Sequence, residues 1–345
     1  MWRLFNWLKP KDADQPATLR RESGLLNSAR PNEDAEDATR HALRQLESHL
    51  FSWLLDATPA QINQDTPHEP VIRQALQERI ADNALVELPR QPAVLPKLIR
   101  ALSDENVSRH ELSEIVLADP ALTDQLLHVA NSPFFLPGEQ HIESVEQAIF
   151  LLGINGVRSV ASAAVLRPMM TARNSQEALF AQRVWRWGLA CARAAELIAN
   201  TRGADGNTFF MVGLMPSLAY ITLRREVARL YKSEYPGEVM DPAVVRSALR
   251  HCSWATAQII ATKWDLPPRY HAYLLAAERP APHTEHTPLN DGIILGTREV
   301  LRHAHQRNLP EEHLITALQL DKNQFQSIRD ALLNMLRDPS RPNAG

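Results

Sequence analysis

The chain has 345 residues, 44% hydrophobic and 22% charged, which is typical of a globular protein that buries a sizeable core. Its net charge of −3 disfavours a basic nucleic-acid-binding protein, so we expect no nucleic-acid partner. We find no apolar run long enough for a transmembrane helix and no signal peptide. The two cysteines, Cys191 and Cys252, cannot form a disulfide framework, and a cytoplasmic location is expected.

Residues 1–38 are predicted to form a flexible tail, because the stretch from Lys9 to Asp37 has too few apolar side chains to fold by itself. Its first eight residues form a short amphipathic tip. The apolar face of this tip, spaced as on a helix, consists of Met1, Leu4, Phe5 and Leu8, with Trp2, Trp7, Arg3, Lys9 and Lys11 beside it. Such a tip favours weak contact with a membrane surface or a partner groove, although a disordered start is the simpler interpretation.

Three helical sections are predicted after the tail. Residues 39–85 form an N-terminal helical segment that begins near Thr39, residues 86–280 form the main domain, and residues 281–345 form a C-terminal helical extension. Helix start signals recur throughout, and no segment alternates with period two. The chain is therefore predicted to be all-α.

Short motifs in the central section resemble the HDOD domain, a bacterial all-helical signalling module related to the HD phosphohydrolases. They occur in the family's order: Leu88-Pro89, Leu95-Pro96, Asp119-Pro120, Asn131-Ser132-Pro133, Ala148-Ile149, Leu151-Leu152-Gly153, Gly213-Leu214 and Trp264-Asp265-Leu266-Pro267. The resemblance implies a multi-helical HD-like bundle flanked by the N- and C-terminal helices.

Ordinary helix chemistry explains most of this signature. Asp119 is suited to cap a helix that starts at Pro120, and the Asn131 amide can satisfy carbonyl groups at a helix end. Gly153 permits a turn that a larger residue would strain. We therefore interpret the signature as mainly structural; its positions are Leu88, Pro89, Asp119, Pro120, Asn131, Ser132, Ala148, Leu152 and Gly153.

The resemblance also implies where HD hydrolases hold their metal ions. None of the 13 histidines is followed by Asp, and Pro216-Ser217 stands where the His-Asp pair belongs. Trp187 and Gly188 occupy another histidine region, and only His251, close to Ser253, is left of the ligand set. We therefore predict no catalytic residue, no bound metal and no cofactor.

Bulky apolar residues replace the metal ligands in this part of the sequence. The first interpretation is that they fill the old cleft as core, and the second is a ligand pocket or partner groove. The residues proposed for that pocket are Trp185, Met211, Met215, Trp254 and Trp264.

The resemblance implies signal transduction through another signalling protein, without catalysis, and a small-molecule ligand is left open as a further partner. Two alternatives remain. One is a residual metal-dependent phosphohydrolase. The other is a DNA-binding regulator, because Pro310–Leu318 and Asp321–Leu336 could form a helix-turn-helix, although its basic residues are few.

Overall fold

The structure, a computed structural model, describes residues 31–104, 107–136, 141–279, 286–318 and 320–336. Every regular element in these ranges is helical, as predicted. The helices are α1 (Pro31–Leu55), α2 (Pro59–Ile62), α3 (His68–Ala81), α4 (Leu95–Ser103), α5 (Arg109–Leu117), α6 (Pro120–Ala130), α7 (Val145–Leu166, continued by a 3-10 turn over Arg167–Met170), α8 (Ser175–Thr201), α9 (Gly206–Glu234), α10 (Pro242–Lys263), α11 (Pro268–Glu278), α12 (Pro288–His303), α13 (Glu311–Leu318) and α14 (Lys322–Leu336).

Helix α8 forms the centre of the core and is packed between α9 and α12. Glycines on both partners face its alanine-rich surface. A β-carbon at Gly213 of α9 would lie 2.6 Å from the Ala192 backbone, and one at Gly296 of α12 would lie 2.6 Å from that of Cys191. The missing side chains therefore let three helices approach almost backbone to backbone.

Helix α1 packs against both α8 and α12 and buries Leu43, Leu46 and Leu50. It begins at Pro31, eight residues before Thr39, where the sequence analysis placed its start. The tip at residues 1–8 lies outside the described residues.

Helix α12, which falls in the predicted C-terminal extension of residues 281–345, is part of the core. Every residue from Leu289 to Leu301 is buried, and the helix lies along α8. Helix α14 adds Phe325, Ile328 and Leu332 to the same core and packs against α8 and α12. The C-terminal section therefore completes the core of the central domain.

Two helices, Val145–Met170 and Gly206–Glu234, are long and apolar enough to cross a membrane, contrary to the expectation of no long apolar run. Length and composition of this kind are weak evidence, since core helices of soluble proteins share them. The first helix is interrupted at Gly153, and 94% of the apolar window in the second is buried inside the protein.

Candidate functional site

Two of the positions predicted to replace metal ligands, Gly188 and Ser217, lie in direct contact between α8 and α9. A β-carbon at Gly188 would lie 2.5 Å from Oγ of Ser217, so the two helices leave no room for an imidazole there. The Ser217 hydroxyl donates to the carbonyl of Leu214, 2.6 Å away in its own helix. Pro216 is buried inside α9 and brings no side-chain donor.

Trp187, next to Gly188 on α8, contacts both α9 and α12. Its indole N–H donates to Oγ1 of Thr297 on α12 at 2.8 Å. Its ring stacks on Tyr220 of α9, with centroids 4.8 Å apart and planes 18° apart. Both rings are fully buried. The Trp187 side chain is therefore part of the core and links α8 to both α9 and α12.

The other two positions predicted from the metal-ligand set, His251 and Ser253, lie on α10. Nδ1 of His251 is 2.8 Å from the Ser247 carbonyl, so that nitrogen donates within the helix. The Ser253 hydroxyl and the Trp254 indole N–H are buried without a hydrogen-bond partner in the described structure, and neither supplies a carboxylate or imidazole ligand. No group of three His, Cys, Asp or Glu in the described ranges could hold a metal ion. These residues do not fit a catalytic metal site.

The five residues proposed for a pocket are mostly core residues. Met211, Met215 and Trp254 are almost completely buried. Trp185 lies half-buried with the Arg167 guanidinium 4.9 Å above its ring. Trp264 is held elsewhere, because its indole N–H donates to the Pro89 carbonyl at 3.0 Å. The core interpretation describes this arrangement better than the pocket interpretation.

The signature residues form local supports at helix ends. Asp119 accepts hydrogen bonds from the backbone N–H groups of Ala121 and Leu122, which caps α6. The Asn131 amide donates to the carbonyls of Leu127 and Ile142, at 2.9 and 2.8 Å, and its oxygen accepts from the Ile142 N–H at 2.7 Å. One side chain thus joins the end of α6 to the chain that enters α7.

Gly153 bends α7. Its φ of 68° and ψ of 173° lie outside the helical region, and an L-residue there would be strained. The residues before the bend are exposed: 80% of the Phe150 surface and 37% of the Leu151 surface are accessible. Ala148 is fully buried, while Leu152 is half-buried against the core.

Two open cavities lie on either side of α4, with volumes of about 550 and 710 Å³. Arg100 and Asp104 line both, and we call the combined depression the α4 groove. The first lobe is lined by Ala93, Val94, Lys97, Arg100, Ala101, Asp104, Glu111, Glu114, Ile115, Ala118 and Asp119. The second is lined by Gln91, Pro96, Ile99, Arg100, Asp104, Trp264, Asp265, Pro267 and Arg269.

Family-like motifs therefore meet at the α4 groove. Pro96, Asp119 and the segment from Trp264 to Pro267 are far apart in sequence and line one surface. The sequence analysis missed this groove because each motif had a sufficient local explanation as a cap or turn. Their common location was visible only after folding.

The proposed helix-turn-helix at the C-terminus uses its polar residues internally. Arg329 of α14 is 3.2 Å from the Glu311 carboxylate of α13, and the Gln326 amide donates to the same residue at 2.6 Å. The opposite face, which includes Phe325, Ile328 and Leu332, is buried in the core. The side chains of Gln326 and Arg329 are therefore engaged within the hairpin.

Comparison with known families places this geometry in context. The HDOD domain family matches residues 88–280, close to the predicted range 86–280. A comparison with curated proteins finds no match.

Solved structures with the same fold include three bacterial proteins. Two are from Shewanella amazonensis SB2B. One, classed as a metal-dependent phosphohydrolase, is 20% identical, with a TM-score of 0.53 over 77% of this chain and 100% of that chain. The other, classed as a phosphohydrolase, is 15% identical, with a TM-score of 0.53 over 76% and 97%. An HDOD domain protein of unknown function from Geobacter sulfurreducens is 17% identical, with a TM-score of 0.50 over 78% and 90%.

Proposed function

This chain belongs to the HDOD domain family, and from that premise we propose that it is a non-catalytic bacterial signalling protein that acts by binding another protein through its HDOD domain. Membership supports a regulatory or signalling-associated role. The proposal includes a cytoplasmic location, a signalling enzyme or motility component as the partner, and no DNA target. Fold alone does not determine such a role, so the support must come from particular residues.

The observation that carries the proposal is the contact between Gly188 and Ser217. A metal-dependent phosphohydrolase needs several His and Asp side chains around a cavity that admits water and phosphate. Here α8 and α9 touch at that place, and Trp187 beside it is committed to Thr297 and Tyr220. Without such a cavity, the outer surface of the domain is the part able to transmit a signal.

The competing function is a residual phosphohydrolase, which the descriptions of the two Shewanella relatives favour. The test is metal analysis of the purified full chain, followed by phosphodiester hydrolysis with added Mn²⁺ or Mg²⁺. We expect metal far below one ion per chain and no turnover above buffer. Stoichiometric metal with turnover that His251→Ala abolishes and the exposed control His110→Ala preserves would overturn the proposal.

The binding role needs its own test. Lys97 and Arg100 are exposed on α4, so Lys97→Glu with Arg100→Glu changes the groove without disturbing the core. The control pair is Arg44→Glu with Lys232→Glu, which is exposed on other helices. We expect a signalling protein to co-purify with the unmodified chain and the control, and to be lost with the α4 variant. A partner set that is the same for all three proteins would contradict binding through this domain surface.

A further inference from the structure

The α4 groove combines an apolar floor with an acidic rim. Val94, the residue that precedes α4, and Ile115 of α5 are half-buried, and Ala101 of α4 is buried. The charged side chains that line the two lobes comprise five carboxylates and three cations, namely Asp104, Glu111, Glu114, Asp119 and Asp265 against Lys97, Arg100 and Arg269. A groove of this character fits an amphipathic segment that carries positive charge.

Residues 1–11 of this chain have that chemistry. They include six large apolar residues, three cations and no acidic residue, in the order Met-Trp-Arg-Leu-Phe-Asn-Trp-Leu-Lys-Pro-Lys. As a helix, the first eight residues would be about 12 Å long, which is close to the length of the nine-residue α4. The apolar face and the positive charge of this segment complement the α4 groove, and its helical length is close to that of α4.

The connection between this segment and the folded part is long enough for docking. Nineteen residues, 12–30, lie between the segment and the start of α1 at Pro31. Their extended span is about 60 Å, and a domain of this size is about 50 Å across. A tether of this length holds the segment at an effective concentration on the order of millimolar, so even a weak contact would be well populated.

We propose that residues 1–11 dock into the α4 groove of their own chain. The docked segment places its apolar face on Val94, Ala101 and Ile115, while Arg3 and the two lysines face Glu111 and Glu114. The site lies within the HDOD domain, but the intrachain contact does not depend on whether that domain is catalytic. It goes beyond the proposed function by assigning an occupant to a particular surface.

Cysteine trapping tests the contact in the full chain. Cys191 and Cys252 are buried, and burial raises the pKa of the Cys252 thiol to about 12, so neither reacts with a surface reagent. A chain carrying Phe5→Cys and Ala118→Cys places one thiol on the segment and one on the exposed edge of the groove. The control pair is Phe5→Cys with Ala60→Cys, exposed on α2, which lines neither lobe.

We expect the groove pair to cross-link at least fivefold faster than the control pair, at a rate independent of protein concentration. Neutralising the rim with Glu111→Gln and Glu114→Gln should slow trapping several-fold, as should higher salt. The matched charge control, Asp65→Asn with Glu234→Gln, should leave the rate unchanged, because both residues are exposed outside the groove.

Three results would overturn the inference. Equal rates for the two cysteine pairs would mean that the segment samples the surface without preference. Trapping that falls on dilution would mean that a second copy supplies the segment. Segment-dependent binding to anionic lipid vesicles that is unaffected by the rim variants, together with no preference for the groove, would assign residues 1–11 to a membrane surface instead.

Discussion

Gly188 of α8 and Ser217 of α9 are in direct contact in the core. A β-carbon added at Gly188 would come within 2.6 Å of the Ser217 β-carbon. The contact makes these two positions a close helix–helix junction. Its consequences for stability can be measured directly.

Gly188→Ala is expected to destabilise the protein by about 1–3 kcal/mol, because the new methyl group overlaps Ser217. This cost opposes the gain of about 1 kcal/mol that Ala usually brings to a helix. In a Ser217→Gly background the overlap disappears, and the same substitution should be neutral or stabilising. Urea unfolding of the four proteins measures the coupling, and additive effects would contradict the contact.

Thr297→Val should cost about 1–3 kcal/mol, since it leaves the buried Trp187 indole N–H without its acceptor while keeping the side-chain shape. The control is Thr262→Val, an exposed position on α10 whose hydroxyl binds only its own helix. Chemical denaturation measures the free energy of unfolding of both variants relative to the unmodified protein. Equal losses would show that the Trp187 hydrogen bond contributes nothing specific.

Asn131→Asp removes both donated hydrogen bonds of the clamp, because a carboxylate cannot donate to the Leu127 and Ile142 carbonyls. We expect a loss of about 2–4 kcal/mol and faster hydrogen exchange at the Ile142 amide. Asn323→Asp, on the exposed surface of α14, is the matched substitution and should change neither quantity. Unchanged exchange at Ile142 in the Asn131 variant would refute the clamp.

Glu196 is expected to make stability depend on pH. It lies buried between α7 and α8, where it accepts from Ser159 and pairs with Arg193, and burial raises the pKa of its carboxyl group. A raised folded-state pKa means that this group stabilises most below its unfolded pKa, which is about 4.3, and that the contribution is lost as pH rises through the folded value.

Glu196→Gln cannot ionise, so its stability relative to the unmodified protein should increase as pH rises from about 4.3 and then level off above the folded pKa. Unfolding free energies measured between pH 4 and pH 8 give this difference. The exposed control, Glu234→Gln, should show a difference that does not vary with pH. A difference that falls with rising pH for Glu196→Gln would reverse the assignment.

Local patterns were enough to predict much of the fold. The N-cap at Asp119, the bend at Gly153 and the all-helical class depend on neighbours in sequence, because capping and backbone freedom act over one turn. The absence of a His-Asp pair at Pro216-Ser217 is a property of the sequence alone, and the loss of a metal site that it suggests stays a prediction. The start of α1 was misplaced because a polar first turn resembles a linker.

Tertiary packing decided the rest. The membership of α12 in the core and the meeting of Pro96, Asp119 and Pro267 at one groove both involve residues far apart in the chain. By itself, the sequence determined an all-α chain of the HDOD type. Which surfaces form grooves was decided only when the helices packed, because a groove is formed by the gaps between helices and no single helix encodes it.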